Sequence, residues 1–167
     1  MCTQENLKKR ISELALKARK EIIEHNIIVE RVETIKQLEE IIKFFDGTLY
    51  LGDKYSEPQI KKTGASSFAI YTNKKRPTNI IQYLGKAILT LNSLKIGDII
   101  NADGIKQIDL EALFFAREFL IPKELFEKVT MNHSYSGKVD VIEVAKELDV
   151  DYIDVIARGI ELNWKLA

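Results

Sequence analysis

The chain has 167 residues, of which 46% are apolar, and its 25 Lys and Arg residues balance 25 Asp and Glu residues. A single domain of this length buries about 70% of the surface that its unfolded chain would expose. A formal net charge of zero argues against a protein that binds nucleic acid or anionic membranes through bulk charge attraction. The one cysteine, Cys2, excludes an internal disulfide framework and a zinc cluster built on cysteines.

The first residues and the uncharged stretches indicate where the protein works. Residues 1–6 lack the basic-then-apolar pattern of a signal peptide, and the longest uncharged stretches, such as Gly64–Asn73, are too short to span a bilayer. We expect a soluble, cytoplasmic, single-domain protein. Its three parts in chain order are an N-terminal helix at 1–26, a sheet with the helix that follows it at 27–91, and a helical part at 92–167.

The N-terminal part is predicted to hold two amphipathic helices with a short strand between them. The first helix spans residues 6–25, because apolar residues recur there at steps of three and four: Leu7, Ile11, Leu14, Ala18 and Ile22. The β-branched stretch Ile27–Val32 predicts the strand. Thr34 and Gln37 have the spacing of a capping box, so the second helix is predicted to begin after Thr34.

Two further strands are predicted in the middle of the chain. A turn signal at 46–47 precedes the strand Thr48–Leu51, and the alternating residues of Ser67–Thr72 predict another strand. The polar stretch Gly52–Ala65 is expected to be a surface loop. Residues 73–77 are expected to form a turn whose cations are solvated: Lys74, Lys75 and Arg76.

The remainder is predicted to be mostly helical. Ile80–Leu91 is apolar around most of its circumference, which predicts a buried central helix. Further helices are predicted at 109–120, from Pro122, at Val141–Leu148 and at Tyr152–Asn163. Asp151 is placed to cap the last of these, and residues 131–138 are expected to be a loop. Together these elements predict an α+β fold, with a small antiparallel sheet of about three strands flanked by about six or seven helices.

The sequence carries few of the usual signatures of chemistry. The glycine-rich phosphate loops and the nucleophile elbow of hydrolases do not occur. His25 and His133 lie in unrelated segments, so they could share a zinc ion only if the fold brought them together beside a carboxylate. Cys2 is not expected to be a catalytic thiol, because chain termini fray.

Residues 109–122 carry the most informative pattern, an acidic start followed by small and aromatic residues that end at a proline. This segment resembles the one that follows the active site in ImmA/IrrE-type zinc metallopeptidases, which are associated with phages and mobile elements. The residues that match in register are Ala112, Phe115, Ala116, Leu120 and Pro122. Leu113 replaces the usual asparagine of that motif, and residues 144–151 are similar to a later unit of the same family.

The resemblance implies where the catalytic helix of that family would lie. The family carries His-Glu-x-x-His, commonly with Leu-Gly in the middle, and here the corresponding residues are Gln82, Tyr83, Leu84, Gly85 and Lys86. Gln82 is a poor zinc ligand, Lys86 would repel a metal ion, and Tyr83 is a poor general base at neutral pH. Gly85, inside a buried helix, indicates a tight contact with a neighbouring element.

The resemblance also implies a zincin-like fold and an acidic third ligand position, which here falls on Asp109 or Glu111. We expect no metal and no cofactor. Instead, Lys86 is expected to take the place of the metal charge and pair with one of these two carboxylates. The alternative is that Gln82 and Lys86 simply lie at the solvated rim of their helix.

The expected function is therefore that of a catalytically inactive relative of these peptidases, which binds a protein partner. The family acts on transcriptional repressors, so the partner is expected to be a repressor or a host defence protein. One alternative is an active peptidase whose metal ligands are His25, His133, Asp109 and Glu111. Another is a DNA-binding regulator that uses the helix-turn-helix-like segment 141–163, although the two carboxylates at the start of its second helix oppose a polyanion.

Overall fold

The computed structural model describes residues 4–164, and in them the chain forms an α+β fold. This part of the chain contains seven α-helices, which agrees with the prediction of about six or seven. They are α1 (Gln4–Glu24), α2 (Ile35–Phe44), α3 (Pro77–Thr90), α4 (Gln107–Leu120), α5 (Lys123–Asn132), α6 (Val141–Leu148) and α7 (Tyr152–Glu161), with a 3-10 turn at Leu91–Ser93. Cys2 lies outside the described residues.

The main sheet has four strands in the order β1-β3-β2-β4, and it is mixed rather than antiparallel. The strands are β1 (Gly47–Leu51), β2 (Gln59–Lys62), β3 (Phe68–Thr72) and β4 (Ile99–Asn101). β1 runs parallel to β3, whereas β2 is antiparallel to both β3 and β4. The predicted antiparallel sheet is wrong because a strand inside the expected loop 52–65 reverses the chain between β1 and β3.

Three local predictions are corrected by the structure. The stretch Gly52–Ala65 is not a surface loop throughout, because it contains β2. Ile60 is the one strongly apolar residue of this strand, so its sequence shows no clear alternation. Ile27–Val32 is not a strand: Ile28 is buried, Val29 is 90% exposed, and the segment consists of bends. Residues 131–138 are not one loop, since they contain the end of α5 and the hairpin strands β5 (Ser134–Tyr135) and β6 (Lys138–Val139).

The hairpin of β5 and β6 is explained by the two residues of its turn. Ser136 and Gly137 connect its two strands, and both have positive φ, 52° and 76° respectively. Two successive residues with positive φ form the primed turns whose twist matches that of a β-hairpin. β4 was also missed, because a strand of only three residues leaves almost no alternating pattern.

α3 is the buried central helix that the sequence predicted. Pro77 occupies its first turn, where the missing N–H is no loss, and both Tyr83 and Leu84 are fully buried. α4 packs along α3, and α1 packs on the outside of α4. α3 therefore holds its side chains against the start of α4 and the strand β4.

The capping box before α2 is confirmed: Thr34 Oγ1 accepts from the Gln37 N–H at 3.1 Å, and the Gln37 side chain accepts from the Thr34 N–H at 3.2 Å. The predicted pair α6 and α7 is also present. Asp151 stands at the N-cap position of α7, but its side chain makes no cap bond because it pairs with Arg76. In the described part of the chain, no helix has the length and apolarity needed to cross a membrane.

Candidate functional site

The site proposed from the sequence lies on α3 and faces the start of α4. α3 brings Tyr83 and Lys86 into the interior and leaves Gln82 half-buried. α4 brings Asp109, which is only 2% exposed. The structure thus places Lys86 beside one of the two carboxylates expected there.

Lys86 and Asp109 form a buried ion pair. The Lys86 ammonium donates to Asp109 Oδ1, and it also donates to the backbone oxygen of Asn101 at 2.6 Å. Asp109 Oδ2 accepts from the Lys106 N–H at 3.0 Å, which caps the start of α4. The expectation that Lys86 pairs with an acidic residue is confirmed for Asp109. For Lys86, the alternative of a solvated helix rim is wrong, since its side chain is 8% exposed.

Glu111 does not belong to this pair. It is half-buried on α4 two residues after Asp109, and its carboxylate accepts from the Gln107 side chain at 3.1 Å. Residues two apart on a helix point in different directions, so only one of the two carboxylates can face α3. Glu111 lines a separate pocket between α1 and α4, together with Leu7 and Phe114.

Tyr83 is held as a hydrogen-bond donor. Its hydroxyl donates to Asp103 Oδ1 at 2.7 Å, and the Lys74 ammonium pairs with Asp103 Oδ2 at 2.6 Å. Burial, and then the hydrogen bond to Asp103, raise the pKa of Tyr83 above its ordinary value. A phenol that holds its proton this tightly cannot act as a general base near neutral pH.

Asp103 and Lys74 were not identified from the sequence, and Lys74 was expected to be solvated. Lys74 is half-exposed and paired instead, because Asp103 lies against it across the sheet edge. The two residues are 29 positions apart, and no local spacing connects them. Gly104 is the one local signal in this loop: a β carbon there would lie 2.6 Å from Asp109 Oδ2, so the loop passes directly over the carboxylate.

A groove of about 630 Å³ opens beside the buried ion pair. It lies between the C-terminal half of α3, β4 and the loop that leads into α4. The residues that line it include Lys86, Thr90, Leu94, Ile100, Ile105 and Ile108. A groove of this size can hold several side chains of a bound peptide.

The residues at this site do not fit zinc. Zinc needs neutral imidazoles, thiolates or carboxylates with free lone pairs, at roughly tetrahedral positions. Here Lys86 places an ammonium against Asp109, whose second oxygen is already bound to a backbone N–H. Gln82 is the remaining candidate ligand on this face, and one amide does not make a site.

The alternative ligand set is also not assembled. Across residues 4–164, no three side chains of His, Cys, Asp or Glu are grouped so that they could hold a metal ion. His25 Nδ1 lies 2.8 Å from the backbone oxygen of Glu21, and His133 Nε2 lies 2.6 Å from Glu147 Oε2. The two histidines therefore have separate partners, and neither of those partners is Asp109 or Glu111.

The segment proposed for DNA binding presents few cations at the start of its second helix. Asp151 pairs with Arg76, which neutralises that cation. Asp154 is buried, and burial raises the pKa of its carboxyl group. Tyr152 and Ile153 are the exposed side chains beside them. A recognition helix usually meets phosphates with backbone amides and cations near its start, and this one offers a neutral pair and apolar groups.

Comparison of the chain with protein-family models, with curated proteins and with solved structures finds no significant match. The features of the chain that bear on its function are the geometry around Lys86 and Asp109 and the pattern of residues 109–122.

Proposed function

We propose that the chain is an ImmA/IrrE-like, zincin-like protein without peptidase activity, which acts in the cytoplasm by binding a protein partner. The observation that carries the proposal is the buried pair of Lys86 with Asp109. By the resemblance, these two positions correspond to a zinc-binding histidine and the acidic third ligand. A fixed ammonium there does for the fold what a metal charge would do, because it neutralises the buried carboxylate.

The groups around the pair support a non-hydrolytic role. Peptide hydrolysis by this class of enzyme needs a water activated by a metal and a carboxylate that takes its proton. By the resemblance, Tyr83 takes the position of that carboxylate, and its hydroxyl is committed to Asp103. The groove of about 630 Å³ beside the pair supports a role in which the chain binds a polypeptide.

The partner is proposed from the resemblance, and it is a transcriptional repressor or a host defence protein. A relative that keeps the surface of a peptidase but not its ligands can hold a repressor without cutting it. Such a protein would act by occupancy, either sequestering the repressor or shielding it from an active peptidase. The balanced formal charge is consistent with a protein rather than a nucleic acid as the partner.

The first test is the metal content of the purified, untagged chain, with melting curves in the presence and absence of EDTA. We expect less than about 0.1 equivalent of zinc and an unchanged melting temperature. About one equivalent of zinc, with a clear drop in melting temperature on chelation, would contradict the proposal.

A designed variant makes the test sharper. Gln82→His together with Lys86→His restores two imidazoles four residues apart on one face of α3, opposite Asp109. We expect this variant to bind about one equivalent of zinc and to melt higher with zinc than without it. Gln82→Asn with Lys86→Arg is the matched control, and it should bind none. If the double-histidine variant folds but does not bind zinc, that result would contradict the assignment of positions 82 and 86 to the two zinc-binding histidines of the family.

Partner binding is tested with a purified helix-turn-helix repressor, the class of partner that the resemblance implies. Mixed and separated by size exclusion with light scattering, the two should form a complex in which the repressor stays intact. Cleavage of the repressor, abolished by EDTA, would support the active-peptidase alternative. If the chain alone shifts the mobility of duplex DNA at about 50 mM salt or above, that result would support the DNA-binding alternative.

A further inference from the structure

β4 is the last strand at its edge of the sheet, and the phase of its hydrogen bonds is fixed. Two ladder bonds flank it: the Lys62 N–H to the Asp98 oxygen at 3.0 Å, and the Ala102 N–H to the Pro58 oxygen at 2.8 Å. Hydrogen-bonded pairs alternate along an antiparallel ladder, so Ile100 bonds to β2. Ile99 and Asn101 therefore direct their backbone groups away from β2.

One of these outward groups is used by the site already described. The Asn101 backbone oxygen accepts from Lys86. The N–H and C=O of Ile99 and the N–H of Asn101 point away from β2, to a side where residues 4–164 place no further strand. A row of outward donors and acceptors is the template onto which an extended chain adds as a new strand.

Several side chains around this edge are apolar and exposed. Three isoleucines flank β4 and are strongly exposed: Ile96 is 67%, Ile99 is 55% and Ile105 is 94% exposed. The pairs of Lys86 with Asp109 and of Asp103 with Lys74 neutralise four ionised groups there, and Lys106 adds one exposed cation to the lining of the groove. Exposed apolar side chains beside an unpaired strand edge are typical of a binding surface for an extended segment with apolar side chains.

We propose that an extended, apolar segment of a partner protein adds to β4 as a fifth strand. Its backbone bonds to Ile99 and Asn101, one set of alternate side chains enters the groove beside Ile100, and the other set covers Ile99. The inference rests on the proposed function, since it names the surface and the partner segment through which a non-catalytic chain would act. The groove of about 630 Å³ is large enough to hold several such side chains.

The test uses a phage-displayed library of random peptides, of about 12 residues each, panned on the full chain. The most enriched peptide is then synthesised with a fluorescein label, and its affinity is measured by fluorescence anisotropy. We expect enriched peptides with alternating β-branched or aromatic residues and little charge. We also expect the amide protons of Ile99 and Asn101 to gain protection from hydrogen exchange when the peptide binds, while that of Ile100 is protected throughout.

Two variants separate strand addition from other binding. Ile99→Pro removes an outward N–H and leaves the ladder to β2 intact, since proline is tolerated where the N–H faces away from the sheet. It should weaken the peptide by about tenfold or more, whereas Ile99→Val, which keeps the donor, should change the affinity less than about twofold. Because Ile99→Pro could disturb the strand, the peptide methylated on alternate nitrogens is tested on the unaltered chain, with the same expected loss.

Several results would overturn the inference. One is the absence of any enriched peptide, and another is peptide binding that tolerates both Ile99→Pro and nitrogen methylation. A third is a dimer of the chain that Ile99→Pro dissociates, because the occupant of β4 would then be a second copy of the chain. The two proposals can fail separately. A chain that binds zinc and still takes the peptide on β4 refutes the non-catalytic function alone, and a zinc-free chain without peptide binding refutes the docking alone.

Discussion

The ring of Phe115 in α4 lies directly against the backbone of Gly85 in α3: a β carbon on Gly85 would be 2.7 Å from Phe115 Cδ1 and 2.9 Å from Phe115 Cγ. Both residues are fully or nearly fully buried, so the ring has no open space into which to move. The close approach of the two helices at this point is what brings Lys86, the next residue of α3, within reach of α4.

Replacing Gly85 with alanine tests this contact. Alanine is intrinsically better than glycine in a helix by about 1 kcal/mol, but the clash with Phe115 should cost about 1–3 kcal/mol, so Gly85→Ala is expected to destabilise the chain. Urea unfolding of the single variant, of Phe115→Leu and of the double variant measures the coupling. Phe115→Leu should relieve part of the Gly85→Ala effect. An increase in stability for Gly85→Ala alone would show that the two helices separate easily.

Removing one member of the buried ion pair should be costly. Lys86→Met leaves the Asp109 carboxylate without its ammonium partner, and the expected loss of stability is about 3–5 kcal/mol. Lys86→Met combined with Asp109→Leu should recover much of that loss, because the uncompensated charge is gone. Equilibrium unfolding in urea provides the measurement, with the exposed Lys95→Met as a control expected to change stability by less than about 0.5 kcal/mol. An unchanged stability for Lys86→Met would refute a structural role for the pair.

The Tyr83 hydroxyl can be followed by spectroscopy. Its pKa is raised by burial and by Asp103, so Tyr83 should stay protonated at alkaline pH as long as the chain is folded. The chain has 6 tyrosines. At about pH 11, the phenolate absorbance of the folded unaltered chain should therefore equal that of Tyr83→Phe. The two absorbances should differ only after unfolding. Tyr83→Phe should also lose about 1–3 kcal/mol, because Asp103 loses a buried donor.

Asp154 should make stability depend on pH in a direction opposite to that of most carboxylates. Its pKa is raised, first by burial and next, in the same direction but less, by Glu161, against the lowering effects of Arg117, Thr78 and Arg76. The folded chain therefore binds the proton more tightly than the unfolded chain, and this contribution to stability is lost as the pH rises through the folded-state pKa.

Asp154→Asn removes that dependence. The variant should be more stable than the unaltered chain at pH 7, and the difference should shrink toward zero as the pH falls below the ordinary value of 3.8. Chemical unfolding at a series of pH values gives the comparison. Asp149→Asn is a suitable control because Asp149 is exposed and lies outside this cluster, at the end of α6. If Asp154→Asn were less stable than the unaltered chain at pH 7, the attraction of Arg117 would outweigh the effect of burial.

Local signals in the sequence were enough to predict the helices and one close contact. The apolar pattern of Ile80–Leu91 predicted the buried helix α3, and the spacing of Thr34 and Gln37 predicted the start of α2. Gly85 predicted a tight approach before its neighbour was known. In each of these cases the cause of the structure lies within one or two helical turns of chain.

The sheet could not be predicted in the same way. β2 and β4 have four and three residues, so each shows its alternation barely once, and their stability comes from neighbouring strands rather than from their own composition. Asp103 was missed for a related reason. Its partners Tyr83 and Lys74 are 20 and 29 residues away, and only the assembled sheet edge brings them together.

The long reach of α1 has a consequence during synthesis. Arg19, in the C-terminal half of α1, donates to the backbone oxygen of Phe119 in α4 at 2.8 Å, across 100 residues of chain. At synthesis rates of about 5–20 residues per second, roughly 5–20 s pass between the appearance of the two on the ribosome. Throughout that interval the apolar stripe of α1 that includes Ile11 and Ile22 has no α4 to cover it. The nascent chain therefore exposes an apolar helix face to the cell's chaperones before α4 is available to bury it.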